Sequence, residues 1–142
     1  MGRFGFLSTT QYRWLAGLWT VSIVVALSLP PTSFGGAQPG VGADKIVHVL
    51  LFAGFGGLWM RGLCPPGEGA WRRCRVRAVG LLVVGAVFAV GSEVYQELLP
   101  IRRAGDPYDA AADGAGLLAG ILLYAAWLRV RGSFPGGREP DS

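Results

Sequence analysis

Four long apolar runs, separated by short charged or glycine- and proline-rich stretches, leave this chain very few folds. Trp14 to Leu29 is an uncharged run of 16 residues stopped by Pro30-Pro31. Ile46 to Leu63 and Ala78 to Ser92 follow, the latter continuing as helix to Leu99 before Pro100. Asp109 to Leu128 is the last. Crossing a hydrocarbon core about 30 Å thick takes roughly 17–25 helical residues. In lipid a segment must satisfy its own backbone polar groups, so runs of this kind are helices. Only 15% of the residues are charged and the mean hydropathy is +0.42, whereas an ordinary soluble domain is about 25% charged. The fold expected is therefore all-α: a polytopic membrane protein with four transmembrane helices. Residues 1–13 form a lead, 14–128 the membrane domain and 129–142 a disordered Gly/Pro-rich tail. A cleaved signal peptide is the rival reading of the first run. It fits poorly with the long polar lead and with Trp and Ser inside the apolar core.

Arginine sets the orientation. The net charge of +4 comes from 13 Lys and Arg against 9 Asp and Glu. The basic residues lie in short segments flanking apolar runs, so positive-inside topology explains them better than nucleic acid does, and no nucleic-acid partner is expected. With four spans, ten arginines (Arg3, Arg13, Arg61, Arg72, Arg73, Arg75, Arg77, Arg129, Arg131 and Arg138) fall on one side. Lys45, Arg102 and Arg103 fall on the other. Both termini are expected in the cytoplasm. Cys64 and Cys74 then lie in a cytoplasmic loop and are expected as reduced thiols; their spacing does not resemble a zinc site. Trp14 and Trp19 are expected at headgroup level.

The same topology brings polar residues of three spans to the outer face. Asp44, Lys45 and His48 open the second span; Glu93, Gln96 and Glu97 close the third; Asp109 and Asp113 open the fourth. Helical spacing puts Asp44 with His48 on one face and Asp109 with Asp113 on another. The face of Asp113 continues through Gly116 and Gly120, a spacing of small residues that lets helices approach closely. Asp44 and Asp109 also suit N-caps, and Glu97 and Asp106 suit a solvated interface. Glu93 and Asp113 are different. A lone carboxylate inside a span costs about 2.5–3.5 kcal/mol on insertion scales, so each needs a partner, and Arg102, Arg103, Lys45 and His48 are the candidates.

These motifs resemble the VanZ-like family of small bacterial membrane proteins. Asp44-Lys45-x-x-His48-x-x-x-Phe52 is similar to that family's opening motif. Glu93-x-x-Gln96, then Pro100, an arginine and Asp109-x-x-x-Asp113-x-x-Gly116-x-x-x-Gly120, is similar to its closing one. Position 113 is Asp where many members carry Asn. Two arginines stand where the motif has one: spacing from Pro100 selects Arg102, spacing back from Asp109 selects Arg103. The resemblance implies a cell-inner-membrane protein of the envelope, and the founding member is associated with resistance to the glycopeptide teicoplanin. A phosphotransbutyrylase activity, a label given to some members, finds no support, since no glycine-rich phosphate loop opens a soluble α/β unit here.

Two functions follow as expectations. The first is a polar outer pocket of Asp44, Lys45, His48, Glu93, Gln96, Arg102 or Arg103, Asp109 and Asp113 that binds a lipid headgroup or a lipid-linked envelope precursor. The alternative is an intramembrane enzyme acting on a lipid-linked substrate, with His48 as general acid or base and Glu93 and Asp113 as further catalytic candidates. A histidine with several carboxylates can hold a divalent ion, but sequence does not show that they converge, and no metal or cofactor is assigned. Transport by four spans without a repeat would require an oligomer.

Overall fold

The computed structural model describes residues 7–28, 43–67, 69–98 and 107–133. They are all-α: four helices, α1 (Thr9–Ser28), α2 (Ala43–Leu63), α3 (Ala70–Leu98) and α4 (Pro107–Ser133). Three of them, α2, α3 and α4, are long and apolar enough to cross a membrane. Helix α1 is 20 residues long, with Gln11 and Arg13 in its first turns.

Several helix ends lie outside the expected bounds. Helix α3 begins at Ala70 rather than Ala78, so Arg72 to Arg77 belong to the helix and not to the preceding loop. Helix α4 runs to Ser133, which places Arg129 and Arg131 in its last turns and not in a disordered tail. Helix α1 takes in Thr9 to Arg13. One reason serves all three. Arginine is a good helix former, and aromatic faces stabilise its guanidinium here. Arg61 sits over the Tyr12 ring at 4.3 Å, Arg129 over Trp71 at 5.3 Å and Arg131 over Trp127 at 4.6 Å. Asp109 lies within the first turn of α4 rather than before it, where a carboxylate still meets the positive end of the helix dipole.

The pairings between helices give their directions. Arg13 Nε donates to the Gly62 carbonyl at 2.9 Å, Trp19 Nε1 to the Leu51 carbonyl at 2.8 Å, and Trp59 Nε1 to Thr20 Oγ1 at 3.1 Å. Arg13 lies beside Gly62 and Trp19 beside Leu51 and Gly54, so numbers rise along α1 as they fall along α2 and these two are antiparallel. Trp19 is thus packed against Gly54 in the α1–α2 interface. The Ser28 and Tyr95 hydroxyls, 3.0 Å apart, bring the ends of α1 and α3 together.

Helices α2 and α4 run parallel and closest. A Cβ at Gly116 would strike the Val49 carbonyl, and one at Gly120 the Ala53 carbonyl. From the other side, a Cβ on Gly56 would stand 2.7 Å from the Leu117 carbonyl oxygen. Small residues at such contacts allow backbones to meet where lipid offers no hydrophobic drive to associate. Phe52, Phe55 and Phe88 stack beside this seam, with centroids 5.5–5.9 Å apart.

Polarity is inverted relative to a water-soluble bundle. Leu50, Val83, Val87 and Leu123 are each 60–69% exposed. His48, Glu93, Gln96, Asp109 and Asp113 are all buried. Exposed apolar surface on this scale needs covering, and α2, α3 and α4 are long and apolar enough to cross a membrane.

At the arginine-rich end, Cys64 and Cys74 are joined by a disulfide, with Cα atoms 5.8 Å apart. This corrects the expectation of two free thiols. Gly69, at φ 62°, turns the chain so that the end of α2 meets the first turns of α3, within the usual Cα range for a disulfide. The Tyr124 hydroxyl donates to the Cys64 carbonyl and Arg77 Nη1 to the Leu63 carbonyl, at 2.8 Å for the arginine, so the end of α2 is tied to α4 and α3. Maleimide applied to unreduced protein is expected to modify neither cysteine, and to modify both after reduction and unfolding. Two labelled thiols without reductant would show the pair to be open.

Candidate polar site at one end of the bundle

The end of α1, the start of α2, the end of α3 and the start of α4 share one end of the bundle. Lys45 and His48, three apart on α2, meet Asp109 and Asp113, four apart on α4. Lys45 Nζ lies 2.9 Å from Asp109 Oδ1. His48 Nδ1 lies 2.9 Å from Asp113 Oδ1. Both contacts follow from the parallel seam: one register aligns residue 45 with 109 and residue 48 with 113.

The two pairs differ in kind. Lys45 is about one-third exposed, its side-chain value being 36%, and its ammonium stands 5.6 Å from the Tyr108 ring. His48 and Asp113 are buried, at 2% and 0%. A carboxylate accepts, so Nδ1–H of His48 donates to Asp113. The other ring nitrogen, Nε2, is then directed to Asp109 Oδ2, at 3.8 Å. One imidazole is thus held between two carboxylates of a single helix face.

Helix α3 brings the third wall. Ser92, Glu93 and Gln96 are buried. Ser92 Oγ donates to the Ala89 carbonyl at 2.7 Å and is committed to its own helix. Glu93 offers a carboxylate oxygen within 4.8 Å of donor atoms of both His48 and Asp113. Asp113 Oδ2 and Gln96 Nε2 are buried and have no hydrogen-bond partner among the described residues.

Of the residues expected in the pocket, Lys45, His48, Glu93, Asp109 and Asp113 therefore converge, and Gln96 is buried on the same end of α3. Asp44 falls in the first turn of α2, its side chain outside the described set, and Glu97 is exposed. Arg102, Arg103 and Asp106 lie outside the described residues. Tyr108 is not singled out by the sequence; a tyrosine at the edge of an apolar span is the only signal its position offers. An apolar cavity of about 520 Å³, lined by Thr20, Phe55, Trp59, Arg77, Leu81 and Phe88 among others, is separate from the polar cluster.

Comparison of the chain with known protein families, with curated proteins and with solved structures finds no match.

Proposed function

We propose that this chain is a VanZ-like, four-span protein of the bacterial inner membrane with both termini cytoplasmic. Its polar end binds the headgroup of a lipid or of a lipid-linked envelope precursor at the outer leaflet. The observation that carries this reading is the convergence of Lys45, His48, Glu93, Asp109 and Asp113 from three helices at one end of an apolar bundle. Charged groups inside a membrane domain are costly and are retained where they bind, react or lock helices.

Further observations support it. The arginines of α1, α2, α3 and α4 gather at the opposite end with Tyr12, Trp71 and Trp127, as an interfacial cytoplasmic belt would. The Cys64–Cys74 disulfide at that end is the observation that runs against a reducing compartment. Helix α1 serves as the fourth span: 20 residues at 1.5 Å each reach about 30 Å. The residues that carry the family resemblance, His48, Glu93, Gln96, Asp109, Asp113, Gly116 and Gly120, are buried at helix contacts. A carboxyl-terminal alkaline phosphatase fusion is expected to be inactive and a green fluorescent protein fusion to be bright; the reverse would invert the topology.

Headgroup binding is tested on protein purified with its native lipids. Lys45 is the most exposed charge of the cluster, so Lys45→Ala is expected to reduce co-purifying lipid seen by native mass spectrometry about tenfold, with the helical content unchanged. Equal retention would remove the headgroup reading. If binding acts on the envelope, expression of the wild type alters teicoplanin susceptibility and that of Lys45→Ala does not.

The His48–Asp113 contact at 2.9 Å favours one second reading, an enzyme acting on a lipid-linked substrate. A carboxylate-oriented imidazole is the arrangement general acid–base catalysis uses. Turnover of a bound lipid by the wild type, absent in His48→Gln with binding intact, would favour the enzyme over the binder.

A further inference from the structure

His48 on α2, Glu93 on α3 and Asp113 on α4 each offer one ligand atom, and the three atoms lie within 4.8 Å of one another. We propose that these side chains form a binding site for a single divalent transition-metal ion such as zinc, manganese or cobalt. The inference goes beyond headgroup binding and does not depend on it.

The donor chemistry points to this class of ion. One imidazole nitrogen and two carboxylate oxygens are borderline-to-hard donors, which suit Zn²⁺, Mn²⁺ and Co²⁺ and disfavour the soft ions that need thiolate. The placement fits as well. Metal sites in helical bundles are built in the core from carboxylates and histidines that project inward from different helices. All three residues are buried, at 2%, 8% and 0% for His48, Glu93 and Asp113.

Asp113 supplies an independent sign of a ligand. It is fully buried, yet only Oδ1 is engaged, by His48 at 2.9 Å. Its Oδ2 has no hydrogen-bond partner among the described residues, although a buried polar atom normally has one. A metal ion is one partner such an oxygen can take.

The fit requires a small contraction. Ligands held about 2.0–2.2 Å from an ion sit roughly 3–3.5 Å from one another, so a pair at the 4.8 Å limit would draw in by about 1.3–1.8 Å. On ion binding Nδ1 would give up the proton it shares with Asp113 and ligate, leaving the ring N–H on Nε2. There Asp109, at 3.8 Å, is placed to orient the imidazole from outside the ligand set, as carboxylates do for metal-bound histidines. Because histidine must bind as the free base and carboxylates as anions, ion binding releases protons and weakens as pH falls.

The test uses the full chain in detergent or nanodiscs, stripped with a chelator and refilled with Co²⁺. About one Co²⁺ per chain is expected, with visible absorption of a nitrogen- and oxygen-ligated ion, without sulfur charge-transfer bands, and displaced by Zn²⁺. His48→Gln, Glu93→Gln and Asp113→Asn are each expected to weaken binding at least about 100-fold, since losing an outer-shell group alone costs about 10–100-fold. Glu97→Gln, at an exposed position of the same helix, should bind as the wild type does. Failure of the folded wild type to take up Co²⁺ or Zn²⁺ overturns the proposal, as does undiminished binding by folded His48→Gln and Asp113→Asn. Where a variant does not fold, the stoichiometry and spectrum of the wild type decide: sulfur charge-transfer bands, which would also show the Cys64–Cys74 bond to be open, would move the ion there and reject this site.

Discussion

Gly120→Leu is expected to prevent assembly of the bundle, and Gly120→Ala to destabilise it by about 3 kcal/mol. Overpacking a tight contact ordinarily costs about 1–3 kcal/mol, because side chains rotate or shift to make room. That relief is missing here. The atoms a Cβ would meet are the Ala53 carbonyl and, at 2.9 Å, the Gly57 backbone nitrogen, and neither can move without the helix that carries it. Gly116 faces the Val49 carbonyl in the same way. Helix α4 contains its own control: an added Cβ at Gly114 meets nothing within 4 Å. Gly114→Ala should therefore be neutral or stabilise by up to about 1 kcal/mol, as Ala for Gly does within a helix. Equilibrium unfolding in mixed micelles of mild detergent and dodecyl sulfate measures all three. Similar behaviour of Gly114→Ala and Gly120→Ala would mean that the α2–α4 seam does not hold the bundle together.

Much of this seam could be read from the chain before any coordinates. The run from Asp109 through Asp113 and Gly116 to Gly120 marks one face of one helix, and the structure turns that face to α2. The meeting of residues 45–48, 93–96 and 109–113 at one end follows from four alternating helices and the arginine distribution. What spacing along a single chain does not contain is the register between two helices. Asp113 needed a partner from four candidates, and only the parallel α2–α4 alignment selects His48. The same alignment gives Asp109 to Lys45, where position alone suggested a cap. Helices α3 and α4 extend past their expected ends because arginine is a good helix former and need not mark a loop; Arg129 and Arg131, over Trp71 and Trp127, continue α4. The Cys64–Cys74 bond was not legible either, since ten residues of separation fix no distance until Gly69 turns the chain.

His48→Leu alone should destabilise the bundle by about 3 kcal/mol, while the double variant His48→Leu with Asp113→Leu should recover most of that loss. The single change removes the donor 2.9 Å from Asp113 and leaves a buried carboxylate with neither of its oxygens engaged by a described residue. The insertion cost of such a group is about 2.5–3.5 kcal/mol, far above the average of about 0.6 kcal/mol for a hydrogen bond between membrane helices. The larger figure applies because what is lost is compensation of a charge, not one contact. Replacing both partners by apolar groups removes the charge as well, and buried ion pairs replaced in this way are often neutral or stabilising. Asp113→Asn, which keeps an acceptor for His48 Nδ1–H and removes the charge, should cost less than His48→Leu. Unfolding of the wild type, His48→Leu, Asp113→Leu and the double variant in mixed micelles yields the coupling energy directly. Additive losses would mean that His48 and Asp113 are not partners. If instead the double variant is as stable as the wild type but has lost lipid and metal binding, the pair is kept for what it binds, because the fold then stands without it.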